Sequence, residues 1–233
     1  MINFEYKNND TNFTLLFVHG WGVDSSYMKP LIKSIENSYS YINIDLNGFG
    51  LSPLERAFTL DDYCEEINRI ITHLEIEEVY GIAHSFGGKV LLRYQEMYVL
   101  KRMILIAPSI YKPPFSLIKV IKIYGYKLFK KMRWNLPSFF KGSKDYINAT
   151  GNLKETFLNV CSYYFSKKKL RRVRIKIFLI GFNKDKEVKL KSLKKAHKYL
   201  RSSELYIYNG NHFEYLNRIK EIRGIISYMI DRW

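Results

Sequence analysis

The sequence has little of what marks a metalloprotein, a disulfide scaffold or a membrane protein. Only two cysteines occur among 233 residues, Cys64 and Cys161, far apart and without CxxC or metal-ligand spacing. They read as buried or free thiols in a reducing compartment. HExxH and clustered Cys/His are missing, as is a phosphate-binding GxGxxG after a strand, so neither a metal nor a nucleotide cofactor is expected. The longest apolar runs, such as MILIA and IFLIG, are strand-sized and far short of a membrane span. The opening MINFEYKNNDTNF is polar and lacks the apolar region of a signal peptide. There are no internal repeats and no low-complexity linkers. These absences lead to the expectation of a soluble, cytoplasmic protein that needs no cofactor.

The chain does carry an apolar fraction of 47%, enough for one globular domain with a sizeable core. It also carries a formal net charge of +16. From Tyr111 to Arg174 there are sixteen Lys and Arg against two acids, Asp145 and Glu155. The rest of the chain holds twenty-two basic and twenty acidic residues, which nearly cancel. A coding bias toward lysine would act everywhere, whereas this excess is local.

Hydrophobic periodicity orders the chain. TLLFVHG, YINIDLNGFG, EVYGIAH, RMILIAP, VRIKIFLIG and SELYIYN read as strands, and NFEYK as an added edge strand. Helical spacing appears in SSYMKPLIKSIE, over Thr59–Leu74, and in FGGKVLLRYQEMY, KEVKLKSLKKAHKYL and NRIKEIRGIISYMID. Strands alternating with helices predict an α/β fold, a mostly parallel sheet with helices on both faces, and functional loops at the carboxyl ends of the strands. One domain over 1–233 is expected. Its one interruption, at about 111–171, reads as a helical cap inserted between two strands.

Ser85 lies in AHSFGG, between a strand and a helix. In so tight a turn the residues two before and two after the serine must be small, and here they are Ala83 and Gly87. Such a turn holds the serine in a strained conformation with its hydroxyl pointing out of the sheet. Other features stand where a serine nucleophile needs them. HGWG, His19 to Gly22, follows the first core strand, so the backbone N–H of Trp21 is one candidate oxyanion donor. The N–H of Phe86, at the start of the next helix, is the other. DLNGFGLS, Asp45 to Ser52, follows the second core strand, and His212 lies in GNHFEY after the last strand.

With these landmarks in order, the chain resembles the α/β-hydrolase superfamily. HGWG with the DLNGFG loop further resembles esterases that cleave the methyl ester of pimeloyl-acyl-carrier protein. SKDYINATGNLKETF is similar to hydrolases from low-GC Gram-positive bacteria. The resemblance implies a Ser-His-Asp triad of Ser85, His212 and Asp185. The superfamily usually places its acid three residues after the glycine ending the preceding strand. Here that position is Lys184, with Asp185 one residue later and Glu187 as the fallback. Ala83 for the usual glycine and a truncated N-terminal hairpin are further departures. His19 reads as a tie for the oxyanion loop, His84 as structural and turned away from the serine, and His73 and His197 as helix-surface residues.

The activity these readings imply is hydrolysis of a carboxylic ester or thioester of an acyl substrate, through an acyl-enzyme. The same triad also serves carbon–carbon bond hydrolases and aminopeptidases. A non-catalytic lipid- or carrier-binding protein on the same scaffold is the alternative. Ser116 to Met132 spaces its lysines as a basic amphipathic helix, and KKKLRR adds to the charge. That segment reads as a solvated lysine face, a dock for an acidic acyl-carrier protein, or a surface lying on anionic membrane. It contains no nucleic-acid recognition module, so nucleic acid is not an expected partner.

Overall fold

A computed structural model describes residues 2–114 and 144–231 of the chain. The basic amphipathic stretch at 116–132 lies outside the described residues. Among the described residues, seven strands form one sheet in the order β1-β3-β2-β4-β5-β6-β7. They are β1 Phe4–Lys7, β2 Thr14–Val18, β3 Ser40–Ile44, β4 Val79–His84, β5 Arg102–Ile106, β6 Lys176–Phe182 and β7 Ser203–Tyr208. Of these, β1 runs antiparallel, pairing Phe4 with Ile44 on β3. The remaining pairings are parallel. The sheet is the one the alternating pattern predicts, including the edge strand from NFEYK.

The central strands read as unbroken apolar runs because both faces are covered. Alternate residues point to opposite faces and feed two separate cores. Leu16, Val18, Ile42, Ala83, Leu105 and Leu179 face one core. Over it lie α2 Leu60–His73, α3 Phe86–Met97 and α7 Leu190–Tyr199. Leu15, Phe17, Ile82, Ile104, Phe178 and Ile180 face the other. That side is covered by α1 Lys29–Lys33 and α8 Ile219–Asp231.

Local chemistry fixes the helix ends. Thr59 caps α2, accepting from the Asp62 N–H while the Asp62 carboxylate accepts from the Thr59 N–H, a reciprocal capping box. Pro30 sits in the first turn of α1, where its missing N–H costs nothing. Several boundaries differ from the periodic reading: the helix expected over SSYMKPLIKSIE is a 3-10 turn at Ser25–Tyr27 followed by the short α1, and α8 starts at Ile219. β6 begins at Lys176 rather than at Val173. α7 begins at Leu190, because the backbone N–H groups of Glu187 and Val188 are held by the Asp185 carboxylate in a turn.

The described part of the insertion contributes α4 Lys144–Asn148, α5 Gly151–Cys161 and α6 Lys167–Arg172. Among the described residues, no helix is long and apolar enough to cross a membrane. Hydrogen bonds seat α5 on the core. The Phe58 N–H donates to the Thr156 hydroxyl (2.8 Å), and the Asn159 and Asn152 side chains donate to the Phe58 and Leu54 carbonyls.

Lys89 is a further tie. It lies on α3, is 2% exposed, and donates through Nζ to the Val160 carbonyl at 3.0 Å, with the Tyr164 ring 4.8 Å from the ammonium. Burial pushes its pKa down from 10.5 to about 8. A depressed folded-state pKa on a base means that its protonated form opposes folding. The penalty is complete below pH 8 and is relieved as pH rises from about 8 toward the unfolded value of 10.5. The shift corresponds to something on the order of 3 kcal/mol. The melting temperature of the wild type should therefore rise relative to that of Lys89→Met between pH 8 and 10. Parallel curves for the two proteins across that window would refute a buried, titrating Lys89.

Candidate active site

The strands meet the site at their carboxyl ends. From β2 the chain steps to β3 on one side and to β4 on the other, so a crevice opens between the ends of β2 and β4. Ser85 occupies the turn from β4 into α3 with φ 51° and ψ −110°. This is strained for a residue with a side chain, and the surroundings hold it there. Its N–H donates to the Ile106 carbonyl (2.8 Å) and its carbonyl accepts from the Ser109 N–H (3.1 Å). A Cβ on Gly87 would lie 2.4 Å from the His19 carbonyl oxygen and 2.5 Å from that of Val18. Both are backbone atoms that cannot yield, so only glycine fits there. Ala83, the departure from the usual glycine, is fully buried and packs its methyl into the core.

The HGWG turn lies directly against this elbow. A Cβ on Gly20 would approach the Ser85 Cβ to 3.3 Å. The buried His19 ring ties two loops together. Its Nε2 accepts from the Leu46 N–H (2.9 Å), which leaves Nδ1 protonated to donate to the Gly20 carbonyl (2.7 Å). Burial lowers its pKa, against the opposing pull of the Gly20 carbonyl, so it stays neutral. The Trp21 ring is clamped edge-on by Phe49, Phe86 and Phe157 at 5.0, 5.3 and 5.2 Å between centroids. Among the described residues, the backbone N–H groups of Trp21 and Phe86 have no acceptor.

Asp45 braces the neighbouring DLNGFGLS loop. One carboxylate oxygen accepts from the Ser25 N–H, and the other from Asn3 Nδ2 and the Leu51 N–H. Burial would raise this carboxyl's pKa, but the hydrogen bonds from Leu51, Ser25 and Asn3 outweigh it and the net shift is downward. Asp45 is thus a structural anion that shapes the loop, and its carboxylate is fully engaged in doing so.

His212 and Asp185 come together from the ends of β7 and β6. His212 Nδ1–H donates to Asp185 Oδ2 at 2.7 Å. The other Asp185 oxygen accepts the Glu187 and Val188 N–H groups at 2.8 and 2.9 Å. Glu187 itself is exposed. Two bonds clamp the loops to each other, Lys184 N–H to the Gly210 carbonyl and Gly210 N–H to Asn183 Oδ1. Because Nδ1 carries the proton, Nε2 is the free, basic end of the ring. Ser85 is half-buried, and among the described residues its hydroxyl forms no hydrogen bond. Such contacts are often open in a substrate-free site.

His84, read from the sequence as structural and turned away, has a more specific place. Its Nε2–H donates to the His212 carbonyl (3.0 Å), and the two rings lie tilted at 47° with centroids 4.6 Å apart. Burial, with His212 adding to it, drives its pKa down to about 3, so it remains uncharged. The residue before the serine therefore holds the loop that carries His212. Sequence spacing could not show this, since the two are 128 positions apart. His73 is exposed, as expected, whereas His197 is half-buried and bonded to the Ser203 hydroxyl.

Known proteins share this fold. The chain is 30% identical over 91 residues to the non-heme chloroperoxidase CPO-A1 of Kitasatospora aureofaciens, covering 38% of this chain and 33% of that protein. It is 36% identical over 53 residues to the pimeloyl-[acyl-carrier protein] methyl ester esterase of Legionella pneumophila, covering 23% of this chain and 22% of that one. These matches thus span a third or less of the curated relatives. An esterase structure from Exiguobacterium antarcticum superposes with a TM-score of 0.77 at 16% identity, over 99% of this chain and 96% of that one. A family model described as the alpha/beta hydrolase fold matches residues 14–144, more than half of the sequence. The chain belongs to the alpha/beta hydrolase fold family.

Proposed function

We propose that the protein is a serine hydrolase of carboxylic esters or thioesters that works through an acyl-enzyme on Ser85. The observation carrying this reading is the 2.7 Å bond from His212 to Asp185 behind a serine held at φ 51°. Asp185 fixes the His212 tautomer and stabilises the imidazolium. His212 Nε2 takes the Ser85 proton as the hydroxyl oxygen attacks the acyl carbon. The developing oxyanion is met by the N–H groups of Trp21 and Phe86. His212 then gives its proton to the departing alcohol or thiol, and water repeats the sequence in reverse to free the acid and restore Ser85.

Trp21, half-buried and packed against Phe49, Phe86 and Phe157, gives the oxyanion turn an apolar flank that suits an acyl group. The Legionella relative's name as a methyl ester esterase agrees with the reading. An acidic acyl-carrier protein or an anionic membrane remains the partner that the basic insertion would suit. Purified protein should label with a fluorophosphonate probe and hydrolyse a chain-length series of p-nitrophenyl esters. A folded sample that neither labels nor turns over any ester would favour the non-catalytic binding protein instead.

A further inference from the structure

The excess positive charge does not stop at Arg174. Between Lys176 and Arg201 the chain adds nine Lys and Arg against only Asp185 and Glu187. Much of it gathers around one cleft of about 790 Å³. Lys184, Lys186, Lys189, Lys191 and Lys194 line it, with Asp185, Leu190 and the Pro113–Pro114 pair completing the walls. Some surface cations elsewhere find acids, as in Arg93 with Asp61 and Glu96, Lys101 with Glu78, and Lys176 with Glu204. Among the described residues none of the five cleft ammonium groups has an ion pair or a hydrogen bond.

Three features make this more than a solvated lysine face. The cleft is concave and large enough for a small organic anion. Its wall is rigid, since the lysine-bearing turn is pinned to the His212 loop through Asn183 and Lys184 and to itself through Asp185. Lys189 and Lys191 also stand at the amino end of α7, whose first turn has neither an acid nor a side-chain cap. Cations there face the positive end of the helix, and a bound anion would relieve both. Among the described residues, the large hydrophobic ones that are exposed, such as Leu51, Ile147 and Leu158, do not line it. A membrane surface would need such anchors.

Asp185 ties the cleft to the chemistry, because the residue lines the wall while its buried carboxylate holds His212. We infer that the cleft binds phosphate groups, and that the substrate is an acyl ester or thioester whose leaving group carries a diphosphate. The substrate assignment rests on the serine hydrolase reading, whereas the anion site does not.

Two measurements separate them. Pyrophosphate should bind Ser85→Ala protein by titration calorimetry and should lose that binding in Lys189→Gln/Lys191→Gln/Lys194→Gln, with the melting temperatures of both proteins recorded. In the second, the active protein is given butyryl-coenzyme A and the uncharged butyryl-N-acetylcysteamine thioester. The ratio of their kcat/KM values should fall roughly tenfold to a hundredfold in the triple variant, mainly through KM, and should shrink likewise in high salt. An unchanged ratio overturns the substrate assignment, and absence of pyrophosphate binding overturns the anion site. Binding of polyglutamate without binding of pyrophosphate would reassign the cleft to an acidic protein and also overturn the proposal. If pyrophosphate binds but no thioester is cleaved, the hydrolase reading fails while the anion site stands.

Discussion

Ser85→Ala is expected to lower kcat for ester hydrolysis by about four to six orders of magnitude and to abolish fluorophosphonate labelling. The residual rate would come from substrate binding and the Trp21 and Phe86 donors, which the substitution leaves in place. The fold should survive it, because the Ser85 backbone is held by the Ile106 carbonyl and the Ser109 N–H, not by its side chain. Alanine keeps the same strain at φ 51°, so its stability should match the wild type within about 1 kcal/mol. Glycine tolerates this conformation, so Ser85→Gly should be equally inactive yet melt higher. Inactive variants with intact or raised melting temperatures would show that the elbow trades stability for reactivity. Substantial turnover by Ser85→Ala would remove this serine from the mechanism.

Asp185→Asn should cost about four orders of magnitude in kcat with little change in KM. The reason is visible in the bonds. One oxygen at position 185 must accept the N–H groups of Glu187 and Val188. In asparagine the carbonyl oxygen would take that role, so its NH2 group would face His212 Nδ1. The imidazole could then accept only at Nδ1, placing its proton on Nε2 and leaving no base for the serine. Glu187 offers a control within the same turn, since it contributes its backbone N–H while its side chain is exposed. Glu187→Gln should retain activity within about twofold, as exposed substitutions away from named contacts do. The reverse ranking of these two variants would move the acid to Glu187.

Much of this could be read before any coordinates. The strands announced themselves because residues buried on both faces leave long apolar runs, and the elbow did so because backbone crowding at Gly87 tolerates no side chain. The acid loop was harder. Family spacing points to Lys184, and only the structure shows that the carboxylate meeting His212 lies one residue later, held there by the turn it makes with the Glu187 and Val188 N–H groups. The same turn explains the late start of α7, which periodicity alone placed at Lys186. Contacts between distant positions left no local trace. The His84–His212 bond joins the end of β4 to the loop after β7, and an isolated histidine beside a serine carries no sign of it. Charge was misleading in a different way. Counting from Tyr111 to Arg174 isolated the insertion, but the lysines of the β6–α7 turn and α7 were masked by acids elsewhere in the remaining total.

The two-sided core has a consequence for the order in which a nascent chain can complete itself. The layer over Leu15, Phe17, Ile82 and Ile104 is built by α1, near the start, and α8, near the finish. During synthesis that face stays greasy and open until Ile219–Asp231 has left the ribosome, while the opposite face can begin to close on α2 and α3 much earlier. A ribosome that stalls before the last helix would release a half-wetted sheet, and such fragments would be expected to need a chaperone to stay in solution.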